Sequence, residues 1–193
     1  SGKTGELDLK SFHAVPSGDT QEPELKPASR AVDTDGFTVW IYQAVEAKDT
    51  LKWKYSELPE IVSLNVGDYK LAVFSHEVTA ADWEKPYYYA DKAFSIEENR
   101  VTHIDTLVCT LQNIKVTVSF TEDLKTLMGD DCSVSVAIGS GTLEYGKSET
   151  RAGYFRADSE SNLLIATFSG TIDGNEEVSR IQVDNVKAGD WRR

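Results

Sequence analysis

Two short stretches with the same pattern decide how the chain is divided: "LNVGDYKL" at Leu64–Leu71 and "VKAGDWRR" at Val186–Arg193. Each runs from apolar residues into a Gly-Asp corner that leads to an aromatic residue, and the corners at Gly67 and Gly189 lie 122 positions apart. The tyrosine after the first corner can bury its ring and hydrogen-bond its hydroxyl to the nearby backbone, as at the corners of β-sandwiches. The repeat predicts two tandem β-sandwich modules. One larger sandwich with two similar turns is the alternative.

Period-two alternation of apolar residues dominates the chain around these corners. In "GFTVWIYQA" it places Phe37, Val39 and Ile41 on one face of a strand, and "CSVSVAIG" and "NLLIATFSGTI" repeat the pattern. Turn residues at 97–100, 139–141 and 173–177 separate the alternating segments. These signals predict an all-β fold made of two antiparallel β-sandwich domains.

Helical signals are few. "TEDLKTLMGDD" has a capping threonine at Thr121 and acidic residues in its first turn, which predicts one or two helical turns. "TAADWEKP" is a second short candidate, ended by Pro86.

The domain boundary is expected near residues 105–112, which gives an N-terminal domain at 1–108 and a C-terminal domain at 109–193. A proline-rich stretch at 15–35 with little apolar periodicity predicts a long, exposed, mobile loop in the first domain. If Trp191 begins a strand equivalent to Tyr69–Ser75, the second domain is truncated at its C-terminal strand. A strand from another chain could then fill the open sheet edge. The alternative is that this strand is peripheral and the second sandwich is closed without it.

The charge of the chain argues against nucleic acid as a partner. Its 20 Lys and Arg against 32 Asp and Glu give a formal net charge of −12, which repels phosphate backbones and anionic lipid surfaces. The sequence contains no run of about 18 apolar residues, the length that a membrane-spanning helix needs. Cys109 and Cys132 both lie in alternating apolar patterns, where a free thiol behaves as a small buried hydrophobic side chain. A disulfide between the two cysteines is the alternative.

Catalytic and metal-binding patterns are missing from the sequence. It contains no HExxH or G-x-S-x-G motif, and the glycine-rich stretch at 139–146 lacks the helix and lysine that would hold a phosphate, so we expect no enzyme activity and no cofactor. The acidic turns at 33–36 and 173–177 offer oxygen ligands for calcium without the spacing of an EF-hand. Turn chemistry explains both, and no metal site is predicted.

The aromatic segment "DWEKPYYYADKAF" is the best ligand candidate. Trp83, Tyr87, Tyr88 and Tyr89 could stack on sugar rings while nearby acids accept hydrogen bonds from hydroxyl groups. The alternative is that these tyrosines pack a loop onto the sandwich.

Several segments together resemble a known Bacteroides family of surface lipoproteins of unknown function, similar to fimbrillins. The resemblance rests on "FTVWIY", "WKYSELPEIVSLNVGDYKLAVFS", "WEKPYYYADKAFSIEENRVTHI", "CTLQNIKVTVSF" and "AGYF", in this order. It implies two transthyretin-like sandwich domains, no catalytic residues, and a secreted precursor held at the outer membrane or cell surface by a lipidated cysteine upstream of Ser1. In that family the segment similar to "VKAG" runs on into a further strand, whereas this sequence ends at Arg193.

The resemblance also suggests a processing site. Fimbrillin-type subunits are cut after a basic residue between the first strand and the next, and Arg30 in "SRAVDTDG" occupies that place. An ordinary flexible loop is the alternative.

Two hypotheses about function follow. The first is a non-enzymatic cell-surface protein, a fimbrillin-like structural subunit or an adhesion lipoprotein, whose partners are other surface or pilus subunits joined by strand addition, or host or bacterial glycans or proteins. The second is a carbohydrate-binding surface protein that uses the aromatic segment.

Overall fold

A computed structural model describes residues 2–17, 32–46 and 50–193. The chain forms two compact units. Unit 1 comprises residues 1–77 and 88–111, and unit 2 comprises residues 78–87 and 112–193. The domains predicted from the sequence are 1–108 and 109–193. The two units differ from them because residues 78–87 belong to unit 2 and because unit 1 extends to residue 111.

Strands of unit 1 are short and fall into two sheets. Their bounds are β1 Thr4–Asp8, β2 His13–Pro16, β3 Thr38–Gln43, β4 Leu51–Lys54, β5 Ile61–Asn65, β6 Gly67–Phe74, β8 Tyr88–Ile96, β9 Val101–His103 and β10 Thr106–Leu111. One sheet has the order β5-β1-β9 and the other the order β2-β10-β8-β6-β3-β4. Most pairs are antiparallel, but β1 with β9 and β2 with β10 are parallel.

Alternation of side chains produces the core of unit 1. Val39 and Ile41 on β3 are completely buried, as are Leu71 and Val73 on the neighbouring β6. In the other sheet Leu7 on β1 is completely buried. The apolar face predicted from Phe37, Val39 and Ile41 is confirmed.

The first Gly-Asp corner connects the two sheets of unit 1, because β5 belongs to the smaller sheet and β6 to the larger one. Tyr69 is 2% exposed, and its hydroxyl donates a hydrogen bond of 2.8 Å to the carbonyl of Asn65. The ring of Phe94 on β8 stacks against Tyr69, with 5.6 Å between the ring centroids. The predicted role of the corner tyrosine is confirmed.

Unit 2 has two four-stranded sheets and one short helix. The elements are β7 Ala81–Trp83, β11 Asn113–Val116, α1 Glu122–Leu127, β12 Ser133–Ile138, β13 Gly141–Gly146, β14 Gly153–Arg156, β15 Asn162–Ile172, β16 Asn175–Val186 and β17 Trp191–Arg192. The sheet orders are β17-β11-β14-β7 and β13-β12-β15-β16. The all-β sandwich fold class predicted from the sequence is confirmed, although the sheets are not purely antiparallel, because β1 with β9, β2 with β10 and β11 with β17 pair in parallel.

Both sheets of unit 2 contribute to one hydrophobic core, so the unit is a sandwich. Ile114 and Phe155 come from the first sheet, whereas Val136 and Leu164 come from the second. All four are less than 5% exposed.

The second Gly-Asp corner also connects two sheets, because β16 and β17 lie in different ones. Gly189 has a φ of +86°, a value that favours glycine, and the Trp191 ring donates from Nε1 to Oγ1 of Thr117 at 2.9 Å. However, β17 pairs in parallel with β11 at the edge of its sheet, whereas β6 has antiparallel neighbours on both sides. The expected equivalence of the Trp191 strand to Tyr69–Ser75 is therefore wrong in topology.

Several local predictions can be compared with the structure. The helix at 122–127 is confirmed, with the Thr121 hydroxyl accepting a hydrogen bond from the Leu124 amide. The turn predicted at 173–177 is shorter than expected: Asp173 and Gly174, both at positive φ, form it, and β16 already begins at Asn175.

The helix expected in "TAADWEKP" is wrong, because residues 81–83 form β7. The antiparallel pairing of β7 with β14 supplies backbone partners that a single helical turn could not. In the stretch at 15–35 that is predicted as a loop, Val15 and Pro16 still belong to β2, and residues 18–31 lie outside the described residues. No helix in the described part of the chain is long and apolar enough to cross a membrane.

Candidate functional site

The structure separates the members of the predicted aromatic site. Trp83 lies on β7 and, like Tyr87, belongs to unit 2, whereas Tyr88 and Tyr89 begin β8 in unit 1. These aromatic residues are divided between the two units because the chain passes from unit 2 back to unit 1 between positions 87 and 88.

Trp83 packs inside a cluster of its own unit. Its ring contacts Tyr145 edge-on, with 4.7 Å between centroids, and the Arg151 guanidinium lies 4.6 Å from the centroid of the same ring. A cation held over an aromatic face stabilises both groups. The ring is half-buried, and the Arg151 guanidinium lies over one of its faces.

Arg151 is held in place by Glu149. The guanidinium donates to the carboxylate from Nε at 2.9 Å and from a terminal nitrogen at 3.0 Å, and the Arg151 amide donates to the same carboxylate. These hydrogen bonds lower the pKa of Glu149 to about 2 and raise the pKa of Arg151. The pair therefore stays ionised over a wide pH range.

Glu149 should make the stability of unit 2 depend on pH. Because its pKa is lower in the folded chain than the ordinary 4.5, its contribution is fully present above pH 4.5 and is lost as the pH falls towards 2. We expect Glu149→Gln to be less stable than the natural chain at neutral pH and equally stable near pH 2. Urea unfolding midpoints across this range measure the difference. A difference that stays constant with pH would contradict the assignment.

Tyr88 and Tyr89 have different surroundings. Tyr88 is 2% exposed and stacks on Phe37 in the core of unit 1, with 6.4 Å between centroids. Tyr89 is half-buried on the outer face of the larger sheet, and its hydroxyl donates to Asp91 at 3.0 Å. A ligand could therefore contact Tyr89, whereas the ring of Tyr88 is closed off by the core. Sugar binding by Trp83 and by Tyr87–Tyr89 stays a prediction.

A second aromatic group, not singled out from the sequence, lies on the same outer face as Tyr89. Trp40 and Tyr42 alternate along β3 with the buried Val39 and Ile41, so their rings lie on the other face of the sheet. The two rings are 4.7 Å apart and both are half-buried. We call Trp40, Tyr42 and Tyr89 the outer aromatic group.

Charged side chains border the outer aromatic group. Lys52 on β4 lies directly opposite Trp40, with its ammonium nitrogen 4.8 Å from the ring centroid. Lys70 on β6 lies opposite Tyr42 and 3.9 Å from the Asp91 carboxylate. The face thus combines flat apolar rings with hydrogen-bond donors and acceptors, the chemistry that a sugar chain requires.

Other candidate chemistry in the chain is weaker. Burial raises the pKa of the Cys109 thiol to about 11, so it stays protonated at neutral pH and is a poor nucleophile. Cys109 and Cys132 are both free and buried. The Asp33 carboxylate accepts a hydrogen bond from the Asp35 amide, as turn chemistry predicts. Within residues 2–17, 32–46 and 50–193, no group of three His, Cys, Asp or Glu side chains could hold a metal ion.

The predicted processing site at Arg30 lies outside the described residues. It stays a prediction.

Comparisons with known proteins find similarities to solved structures at low sequence identity. A "putative adhesin" from Bacteroides ovatus is 11% identical over 95% of this chain and 83% of its own, with a TM-score of 0.48. A "putative adhesin" from Bacteroides thetaiotaomicron is also 11% identical, over 94% of this chain and 80% of its own, with a TM-score of 0.45. The major pilin from Streptococcus pyogenes is 8% identical over 99% and 96%, with a TM-score of 0.24.

No curated protein is significantly similar to the chain. One protein-family model, however, matches residues 3–193, which is nearly the whole sequence. The chain belongs to the family described as domain of unknown function DUF4493.

Proposed function

We propose that this chain is a non-enzymatic cell-surface protein, a fimbrillin-like structural subunit or an adhesion protein, that binds other surface subunits by strand addition. A lipid attached upstream of Ser1 would anchor it at the outer membrane. The observation that carries the proposal is the edge position of β17 in unit 2.

The backbone geometry of β17 leaves hydrogen-bonding groups for another strand. The amides of Lys115 and Thr117 on the β11 side donate to the carbonyls of Asp190 and Arg192. Successive residues of a strand point their backbone groups to opposite sides, so the N–H and C=O of Trp191 point away from β11. In the described part of the chain no strand lies on that side of β17.

Unit 1 provides a comparison for this edge. There, β10 lies between β2, which is parallel to it, and β8, which is antiparallel, just as β11 lies between parallel β17 and antiparallel β14, so β17 corresponds to the edge strand β2. A strand from another subunit beside β17 would extend this sheet of unit 2 by one strand. Backbone pairing of this kind supplies affinity without any active site.

Immunogold electron microscopy of the native bacterium tests the surface role. Antibodies against the chain should label intact cells, in filaments for a structural subunit or scattered over the surface for an adhesion protein. Labelling restricted to permeabilised cells would contradict the proposal.

The outer aromatic group favours carbohydrate binding as a second candidate function. Aromatic rings that are 4.7 Å apart on a sheet face, beside Lys52 and Asp91, suit the stacking and hydroxyl contacts of a sugar chain. For this second candidate we propose Trp40, Tyr42 and Tyr89, which lie on one face of one sheet, as the site instead of Trp83 and Tyr88. Trp83 makes its contacts within unit 2, and Tyr88 is buried.

Replacing the central ring of this group tests the second candidate. If the chain binds glycans through this face, Trp40→Ala should weaken binding on a glycan array by roughly two- to tenfold, since a lost stacking contact is worth about 0.5–1.5 kcal/mol. Trp83→Ala is the matched control and should bind as the natural chain does. Equal loss in both variants, or loss only in Trp83→Ala, would contradict this location.

A further inference from the structure

The most exposed regular element of the chain is β16, which runs over twelve residues from Asn175 to Val186. It is an edge strand, with β15 on one side and no strand on the other among the described residues. Residues 175–182 are exposed on both faces of the sheet, and Val178 is 74% exposed. This strand therefore presents a long row of backbone groups to solvent.

Such an edge is usually protected against pairing with another chain by proline, bulges or like charges. The regular ladder of β16 with β15 extends from Asn175 to Val183, and the irregularity comes only after it, opposite Asn162 and Leu164. No proline interrupts this ladder. Its charges are of both signs, with Glu176 and Arg180 four residues apart and on the same face.

We propose that β16 pairs antiparallel with β16 of a second copy of this chain, in a two-fold dimer centred on Val178. Side chains directly opposite each other in a sheet lie on the same face. Arg180 can therefore lie opposite only a residue of β16 whose side chain is on the same face, such as Glu176 or Val178. With Val178 opposite Val178, each Arg180 lies opposite Glu176 of the other copy. The interface then contains two identical ion pairs around an apolar contact.

Neighbouring registers lack this complementarity. A dimer centred on Arg180 places the two Arg180 side chains opposite each other. A dimer centred on Glu177 places the two Glu177 carboxylates opposite each other, so like charges repel in both registers. A dimer centred on Ser179 places Val178 opposite Arg180. The charges of the strand therefore select one register.

The expected dimer is weak and depends on concentration. A single pair of edge strands buries less than the roughly 1,200–2,000 Å² typical of stable interfaces. Exposed ion pairs between strands give orientation and register more than affinity. The proposal does not depend on strand addition at β17, which involves the other sheet of unit 2.

Sedimentation equilibrium tests the register by measuring the self-association of charge-exchange variants, at protein concentrations up to about 1 mM. Arg180→Glu and Glu176→Arg should each weaken self-association by about tenfold, because each places like charges opposite one another. The double variant, Glu176→Arg with Arg180→Glu, should restore it. Glu177→Arg combined with Arg180→Glu is the control and should not, because Glu177 lies on the other face.

Disulfide cross-linking provides a second measurement. Val178→Cys should form a covalent dimer on mild oxidation, because the two Cα atoms lie directly opposite, within the roughly 7 Å limit for a disulfide. Ile181→Cys is the matched control, at a site that is 59% exposed, and should not cross-link because its counterpart is six residues along the ladder. A monomer at every concentration would overturn the proposal, as would double and single charge variants that behave alike or equal cross-linking at both positions.

Discussion

Replacing Phe155 with alanine is expected to destabilise unit 2 by about 3–5 kcal/mol, the usual cost of removing a buried phenylalanine ring. Phe155 is completely buried on β14, between β11 and β7, and belongs to the core that both sheets share. Because a domain is typically stable by only about 5–15 kcal/mol, this loss should lower the urea midpoint of unit 2 strongly.

Val178→Ala is the matched control for Phe155→Ala. It also shortens an apolar side chain in unit 2, but Val178 is 74% exposed, so a change within about 0.5 kcal/mol is expected. Similar unfolding curves for the two variants would contradict the assignment of Phe155 to the core.

Gly153→Ala is expected to destabilise unit 2 by about 1–3 kcal/mol or more, through overpacking. A Cβ at Gly153 would collide with the Tyr145 hydroxyl oxygen and approach Cδ1 of Leu143 to 2.6 Å. Tyr145 cannot move freely, because its hydroxyl donates to the Val116 carbonyl at 2.8 Å and its ring contacts Trp83. Thermal unfolding followed by tryptophan fluorescence measures the loss.

Gly146→Ala separates this collision from the general effect of removing a strand glycine. No atom lies within 4 Å of a Cβ built at Gly146, so its replacement should leave the stability unchanged or raise it slightly. Equal destabilisation of both variants would show that the close approach at Gly153 is unimportant.

Local patterns predicted the strands because burial follows alternation in this fold. The inward positions of β3 and β12 carry Val39, Ile41, Val134 and Val136, and all four are buried. The Tyr69 corner could be predicted for a similar reason, because its hydrogen bond to Asn65 spans only four residues.

Pairing between distant segments could not be predicted in this way. β7 is three residues long and carries no alternating run, so its strand conformation depends on β14, some seventy residues later in the sequence. The parallel pairing of β17 with β11 is equally distant. Loop lengths and hydrophobic periodicity do not specify such partners.

The candidate site shows the same limit. The sequence suggested a site at Trp83 and Tyr88 because these aromatic residues are close together in one segment. That segment crosses between the units, so Trp83 lies in unit 2 and Tyr88 in unit 1. The outer aromatic group was detectable in principle, because Trp40 and Tyr42 alternate with the predicted buried residues of the same strand. Its third member, Tyr89, joins it only through the register of β3, β6 and β8.

The assignment of β7 to unit 2 can be measured directly by hydrogen–deuterium exchange, comparing the natural chain with Phe155→Ala. If residues 78–87 belong to unit 2, exchange at Ala81–Trp83 should accelerate together with that of β12, while β6 and β8, which flank this segment in sequence, keep their protection. Protection at Ala81–Trp83 that stays unchanged, like that of β6 and β8, would contradict the two-unit organisation and the separation of Trp83 from Tyr88 and Tyr89.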